Sequence, residues 1–141
     1  MSEVAKSSSF EWPVRVYIED TDAGGIVFHA KYLHFMERAR TEWIRSEGVS
    51  LRAGLDDNIS YVVQRMNLHY RAPAKLDDQL LVTAEPETFS RVWMAFRQQV
   101  FRASDRLLLC EADVRVACIR LDNGKPQRLP ENMLEILKRT S

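Results

Sequence analysis

The pattern of hydrophobic and polar positions predicts one long amphipathic helix near the start of the chain. Between residues 31 and 45, large hydrophobic side chains recur at steps of three and four, which places them on one face of a helix. The members of this face are Tyr32, Phe35, Met36, Ala39 and Trp43. Because the remaining positions carry mainly polar side chains, we expect this helix to cover a hydrophobic surface with one side only.

Strand patterns lie on both sides of this helix. A short alternating segment, residues 14–18, precedes it, and four longer strand-like segments follow it at about residues 59–70, 80–87, 92–102 and 107–121. The connections between the later segments are short and polar, which favours antiparallel neighbours. Residues 48–58 are turn-rich, and residues 130–139 predict a short terminal helix that begins at a proline.

This order of elements predicts an α+β fold. A single curved antiparallel sheet wrapped around the long helix would bury the hydrophobic face of the helix in a two-layer structure. The 141 residues suit one domain. We therefore expect a single domain over residues 1–141, in which about residues 1–11 form an N-terminal tail.

Composition indicates the class of protein and the compartment in which we expect it. Hydrophobic residues make up 45% and charged residues 28% of the chain, as in an ordinary globular protein. Lys plus Arg equals Asp plus Glu at 20 each, which gives no electrostatic case for nucleic acid. The polar residues 1–9 do not resemble a signal peptide, and no segment approaches the ~20 apolar residues of a membrane span. We expect a cytoplasmic protein, with Cys110 and Cys118 buried as reduced thiols.

The loop before the helix, D-T-D-A-G-G-I-V, carries the strongest candidate for chemistry. Asp22 lies in this loop and His29 lies where the loop meets the helix. The first turn of a helix offers unpaired N–H donors and a partial positive charge, which can stabilise a developing oxyanion. The alternative role of Asp22 is to cap or stabilise the loop, and that of His29 is a local hydrogen bond. Asp20 is expected to stabilise the loop or face solvent.

Several other classes of site lack their motifs. The sequence contains no H-E-x-x-H, C-x-x-C, P-loop, G-x-S-x-G or G-x-G-x-x-G. We therefore expect neither a metal site nor a cofactor. Glu37 and Arg40, three positions apart on the helix, are interpreted as an intrahelical or packing pair. The basic residues are scattered, as on a solvated surface.

Residues 17–43, Y-I-E-D-T-D-A-G-G-I-V-F-H-A-K-Y-L-H-F-M-E-R-A-R-T-E-W, resemble the signature of the hotdog-fold acyl-CoA thioesterases of the 4-hydroxybenzoyl-CoA thioesterase class. They are most similar to the branch known as Tol-Pal system-associated acyl-CoA thioesterases. The similarity continues through residues 61–78, Y-V-V-Q-R-M-N-L-H-Y-R-A-P-A-K-L-D-D. This resemblance implies a hotdog fold, homodimers joined sheet edge to sheet edge with active sites at the interface, and pairing of these dimers into a homotetramer.

The resemblance also implies roles for individual residues. Asp22 matches the catalytic carboxylate of the family, acting as general base or nucleophile. His29 matches the position whose backbone N–H polarises the thioester carbonyl. Gly25 and Val63 are expected to contact the substrate, Val63 as part of the acyl pocket.

Three hypotheses follow from these residues. The first is a metal-independent acyl-CoA thioesterase of lipid metabolism. The second is a noncatalytic adaptor that binds acyl-CoA or acyl carrier protein for an envelope or lipid-synthesis assembly. The third, a hydroxyacyl dehydratase of the same fold, lacks the expected F-P-G motif. The sequence leaves open the acyl group, the choice between coenzyme A and carrier-protein thioesters, and the residues that bind the coenzyme A phosphates.

Overall fold

The structure is a computed structural model that describes residues 10–140. Within these residues, six strands form one antiparallel sheet in the order β1-β3-β5-β6-β2, and β4 also pairs with β5. The strands are β1 (Glu11–Arg15), β2 (Ile59–Tyr70), β3 (Gln79–Thr83), β4 (Glu85–Phe89), β5 (Trp93–Arg102) and β6 (Leu108–Arg120). The helices are α1 (Lys31–Ser46), α2 (Leu51–Asp56) and α3 (Glu131–Thr140). The predicted α+β architecture is confirmed.

Helix α1 buries the hydrophobic face that its sequence predicts. All five side chains of this face are at most 5% exposed, and they pack with buried residues of the sheet in one core. The Trp43 ring, for example, meets the Phe96 ring of β5 edge to face at 5.5 Å between centroids. Helix α1 packs mainly on β1, β3 and β5. The helix therefore covers one side of the curved sheet.

A buried polar network joins α1 to the sheet. The Gln98 side chain is 0% exposed, and its Nε2 donates to the carbonyl oxygens of Met36 and Thr83, both at 3.0 Å. Its Oε1 accepts a hydrogen bond from Nη1 of Arg40 at 3.0 Å. Arg40 thus donates its hydrogen bond to Gln98 of β5 rather than to Glu37, and the interpretation of Glu37 and Arg40 as an intrahelical or packing pair stays a prediction. Buried polar groups of this kind are stable only when they are hydrogen-bonded.

The first strand begins earlier than predicted. Strand β1 spans Glu11–Arg15, and a 3₁₀ turn covers Ile18–Asp20, where the sequence pattern suggested a strand over residues 14–18. The Asp20 carboxylate accepts the Tyr17 N–H at 2.9 Å, and the Asp20 N–H donates to the Tyr17 carbonyl at 3.0 Å. These bonds close a turn and end the extended backbone. Of the predicted tail, residues 1–9 lie outside the described residues, and Glu11 already belongs to β1.

Two later elements also differ from the prediction. The turn-rich segment contains α2, whose start is capped by Ser50, because its Oγ accepts the Ala53 N–H at 3.1 Å. The strand predicted over residues 80–87 is split at Ala84 into β3 and β4. Both halves pair with β5, β3 near its end and β4 near its start. The sequence pattern found the right neighbour and missed the break.

Strand β2 is a long edge of the sheet. Among the described strands it pairs only with β6, and a bulge lies between Val63 and Arg65. Val62, Val63 and Tyr70 are between 42% and 50% exposed, which is high for large hydrophobic side chains. An exposed hydrophobic edge strand is a template for pairing with another chain.

The two cysteines lie on the core side of β6. Cys110 and Cys118 are both buried and unlinked, as predicted. Burial raises the pKa of the Cys110 thiol to about 12 and that of the Cys118 thiol to about 11, so both stay protonated near neutral pH. Of the helices in residues 10–140, none combines the length and apolar character needed to cross a bilayer.

Candidate active site

Residues 21–28 form a tight loop, here called the Asp22 loop, that leads into α1. Thr21 and Val27 pair as an isolated antiparallel bridge, and the Asp22 N–H donates to the Ile26 carbonyl at 3.0 Å. Two bonds tie the loop to its surroundings: the Val27 N–H donates to the Ala74 carbonyl and the Phe28 N–H to the Asp20 carbonyl, both at 2.9 Å. The loop is therefore held at both ends by backbone hydrogen bonds.

Asp22 lies at the tip of this loop with its side chain exposed. Its Oδ1 accepts the Gly24 N–H at 3.1 Å, which is a local turn contact. Its Oδ2 accepts no hydrogen bond from residues 10–140. One carboxylate oxygen thus shapes the loop, and the other is open to water or a ligand.

Gly25 gives the loop its shape. Its φ of 74° lies in the left-handed region, which residues with a Cβ atom rarely adopt. Its carbonyl accepts the Leu76 N–H at 3.0 Å, so the loop is anchored to the segment before β3. The backbone of Gly25 thus shapes and anchors the loop. Contact between Gly25 and substrate stays a prediction.

Replacing Gly25 by alanine is expected to destabilise the protein by about 1–2 kcal/mol, because the new Cβ atom is strained at this φ. Gly24→Ala is the matched control. Gly24 has no positive φ, and an added Cβ atom would meet Asp22 Oδ1 only at an ordinary 3.7 Å. Urea unfolding of both variants measures the difference, and equal midpoints would contradict this explanation.

His29 places free backbone donors at the start of α1. The helix is capped at Ala30, which supplies no side-chain hydrogen bond. The backbone N–H groups of His29 and Ala30 donate no hydrogen bond within residues 10–140. The side chain of His29 is exposed, and Tyr70 Oη donates to the His29 carbonyl at 2.8 Å. The start of α1 thus carries two backbone N–H donors without an acceptor in the described residues, together with the partial positive charge of a helix N-terminus.

An ion pair and an aromatic wall support this corner. Lys31 Nζ lies 3.2 Å from the Asp20 carboxylate, which confirms that Asp20 stabilises the loop. A cavity of about 280 Å³ opens beside His29 and is also lined by Tyr32, Tyr70 and Pro73. Burial raises the pKa of both tyrosines, so their hydroxyls remain protonated. The wall offers a hydrophobic surface with polar tips.

Val63 lies elsewhere. It lines a second cavity of about 280 Å³ between α1, α2 and β2, together with Arg40, Thr41, Ile44 and Tyr61. Asp22 and Gly25 thus lie in the Asp22 loop, His29 follows this loop directly before α1, and Val63 lines a different cavity of the same chain.

Two residues near these cavities were not singled out from the sequence. Tyr70 ends β2 and holds the His29 carbonyl, a contact between residues 41 positions apart that no local pattern reveals. Arg40 lines the second cavity with only 7% of its surface exposed, whereas the sequence pattern indicated only an intrahelical or packing pair with Glu37. The sequence signal for the burial of Arg40 was the set of large apolar residues near it in the helix pattern.

The comparison with protein families identifies the superfamily of the chain. The family model described as the Thioesterase-like superfamily matches residues 16–137, which includes the Asp22 loop, α1 and the sheet from β2 to β6. The chain belongs to this superfamily. Within residues 10–140, no three His, Cys, Asp or Glu side chains are grouped as metal ligands.

Curated relatives in the superfamily match over nearly the whole chain. The acyl-CoA thioester hydrolase YbgC of Escherichia coli O6:H1 is 43% identical over 129 residues, covering 92% of this chain and 96% of the relative. The acyl-CoA thioesterase YbgC of Haemophilus influenzae is 42% identical over 127 residues, covering 89% and 92%.

Solved structures of thioesterases share the fold. The 1,4-dihydroxy-2-naphthoyl-CoA thioesterase of Synechocystis superposes with a TM-score of 0.85 at 25% identity, covering 93% of this chain and 96% of that one. A probable thioesterase from Bartonella henselae superposes with a TM-score of 0.80 at 31% identity, covering 87% and 100%. The predicted hotdog fold and the predicted thioesterase class are confirmed.

Proposed function

We propose that the protein hydrolyses acyl-CoA thioesters at the Asp22 loop. The observation that carries this proposal is an exposed carboxylate on a short loop that leads directly to free backbone donors at the start of α1. Asp22 and the N–H groups of His29 and Ala30 are held there by the bonds that fix both ends of the loop. The names of the E. coli and H. influenzae relatives support acyl-CoA as the substrate.

The backbone donors act on the thioester carbonyl. Its oxygen accepts a hydrogen bond from the His29 N–H, and this bond strengthens as negative charge develops on the oxygen. One such donor contributes about 3–4 kcal/mol to the barrier reduction. Tyr70 holds the carbonyl of His29 and so limits rotation of the peptide next to this donor. The imidazole of His29, which is exposed at the same corner, orients the thioester or the water.

Asp22 supplies the base. Its open oxygen removes a proton from a water molecule as the water adds to the carbonyl carbon. The carbon–sulfur bond then breaks, and the proton passes to the departing thiolate of coenzyme A. In the alternative route, the carboxylate itself attacks the carbonyl carbon, and water cleaves the resulting mixed anhydride. The first route matches an exposed side chain with free access to water.

The test of the proposal is thiol release from acyl-CoAs with short, long and aromatic acyl groups. Hydrolysis of any member above the uncatalysed rate supports the enzyme. Failure to hydrolyse every member, combined with tight binding of non-hydrolysable analogues, would contradict the enzyme and favour a noncatalytic adaptor.

We further propose that β2 joins two copies of the chain edge to edge. The strand is long, its outer edge is unpaired among the described strands, and it exposes Val62 and Val63. The cavity beside His29 reaches the end of β2 at Tyr70, so a second copy on this edge would lie next to the reaction corner. Pairing of such dimers into tetramers stays a prediction.

Val62→Lys is expected to weaken this dimer by about tenfold or more, which is about 1.4 kcal/mol, because it places a charge on the hydrophobic edge. Leu121→Lys is the matched control, since Leu121 is 55% exposed and lies outside β2. Sedimentation equilibrium measures both dissociation constants. A monomeric wild type, or equal weakening by both substitutions, would contradict assembly through β2.

A further inference from the structure

The cavity between α1, α2 and β2 contains a cation that the fold leaves incompletely paired. Its walls are mostly hydrophobic, and Arg40 lines it with only 7% of its surface exposed. The guanidinium donates one side-chain hydrogen bond, from Nη1 to Gln98 Oε1 at 3.0 Å. No carboxylate of residues 10–140 lies within 4 Å of it. Glu37, whose side chain is exposed, lines the same cavity and acts on Arg40 through its charge, without a hydrogen bond between the two.

This arrangement is unusual for a buried arginine. A guanidinium has five N–H donors, and a buried one normally meets a carboxylate in a two-pronged contact. The remaining donors of Arg40 are not sealed in the protein, because the only buried and unpartnered side-chain nitrogen or oxygen among the described residues belongs to Arg115. They therefore reach open space, and the open space that Arg40 lines is this cavity.

Hydrophobic side chains of β2 lie between this cavity and the cavity beside His29. The pairing of β2 with β6 puts five side chains of β2 on the same face as buried residues of β6: Tyr61, Val63, Met66, Leu68 and Tyr70. Tyr61 and Val63 line the Arg40 cavity, whereas Tyr70 lines the cavity beside His29. Helix α1 packs mainly on β1, β3 and β5, and α2 is the helix that contacts β2 and forms a wall of the Arg40 cavity.

The distance from the start of α1 to Arg40 follows from the rise of the helix. Lys31, at the start of the helix, and Arg40 are nine residues apart, which is about 14 Å along the axis. An acyl group with its thioester at the Asp22 loop would therefore need a medium-length chain to bring its far end to Arg40. The hydrophobic lining of the Arg40 cavity suits methylene groups, and the Arg40 guanidinium suits an oxygen acceptor.

We propose that Arg40 determines acyl specificity by binding an oxygen acceptor at the far end of a medium-chain acyl group. This inference rests on the proposed thioesterase function and names the substrate class of the same site. The acceptor is a carboxylate or a hydroxyl oxygen, which receives the N–H groups of Arg40 that Gln98 does not use. A plain alkyl end leaves these donors without a partner when it displaces water from the cavity.

The test compares matched coenzyme A thioesters of octanoyl, decanoyl and dodecanoyl chains, each with a plain, hydroxyl or carboxylate end. The readouts are kcat/KM and the dissociation constants of analogues in which a methylene replaces the thioester sulfur. Wild type is expected to prefer one or both oxygenated ends by about tenfold to a hundredfold at the best length, as for one charge-assisted hydrogen bond. Arg40→Met should remove this preference, so that plain and oxygenated chains of the same length have similar kcat/KM values.

Leu55→Ala is the matched control. Leu55 lines the same cavity from α2 without a polar group, so its loss should weaken plain and oxygenated chains by the same factor. Arg40→Lys serves if the methionine variant does not fold, because lysine keeps a cation but loses the planar fork, and a reduced preference is expected.

Several results would overturn the inference. Wild type that binds the plain analogue as tightly as both oxygenated analogues, at all three lengths, overturns it without any variant. Equal loss for all ends in a folded Arg40 variant overturns it as well. The binding constants separate this failure from failure of the proposed function: a protein that binds oxygenated analogues selectively but hydrolyses nothing contradicts the enzyme and supports the role of Arg40.

Discussion

Asp22→Asn is expected to lower kcat by about a hundredfold to ten-thousandfold, because the amide cannot accept the proton of the attacking water. The fold should stay intact. The side chain of Asp22 is exposed, and its only hydrogen bond within residues 10–140 is accepted from the Gly24 N–H, which an asparagine oxygen can also accept. Steady-state thiol release gives kcat and KM, and thermal unfolding reports on the fold.

Glu19→Gln is the control for this substitution. Glu19 is an exposed carboxylate three residues earlier in the chain, and it makes no ion pair or side-chain hydrogen bond within the described part of the chain. Its loss should leave kcat within about twofold, since surface substitutions away from special features have small effects. Full activity of Asp22→Asn would contradict the assignment of Asp22.

A single turnover in water enriched in oxygen-18 detects the covalent route when water cleaves the anhydride at the aspartyl carbon. If Asp22 acts as a base, the label enters the acid product and the Asp22 side chain stays unlabelled. If Asp22 attacks the carbonyl carbon, cleavage of the anhydride at the aspartyl carbon leaves the label on Asp22. Mass spectrometry of the peptide that contains Asp22 reads the difference.

Gln98→Leu is expected to destabilise the protein by about 3–5 kcal/mol, because it breaks a buried network and leaves Arg40 without its partner. The carbonyls of Met36 and Thr83 lose their bonds to Nε2 at the same time. For a chain of this size the loss corresponds to a fall in Tm of about 10–17 °C. Urea and thermal unfolding measure both quantities.

Gln99→Leu is the matched substitution one residue along β5. The Gln99 side chain makes no hydrogen bond within residues 10–140, and its backbone N–H donates to Thr83 Oγ1 at 2.8 Å. This variant should change the free energy of unfolding by about 0.5 kcal/mol or less. Similar losses in the two variants would mean that the buried network contributes little to stability.

Much of the fold could be predicted because its signals are local. The spacing of Tyr32, Phe35, Met36, Ala39 and Trp43 predicted both α1 and its buried face, and the structure confirms both. Strand β2 was predicted with the bounds that the structure shows. Helix α2 was missed because a six-residue helix carries little periodicity, although Ser50 before it is a capping residue.

The candidate site also contains residues that a local motif identifies and residues that only the fold brings into place. Asp22, Gly25 and His29 stand within eight residues of sequence, so one motif could identify the loop that carries them. Tyr70 and Arg40 depend on pairing between distant parts of the chain: Tyr70 reaches His29 across 41 positions, and Arg40 reaches Gln98 across 58. Such contacts follow from the sheet order, which local patterns do not specify.

The most direct test of the central claim is a crystal structure with a bound acyl-CoA analogue in which a methylene replaces the thioester sulfur and the carbonyl is retained. The account predicts the carbonyl oxygen at about 2.7–3.1 Å from the His29 backbone nitrogen, with the Asp22 carboxylate facing the carbonyl carbon directly or through one water. A carbonyl bound away from the Asp22 loop, with the His29 N–H still free, would contradict the account.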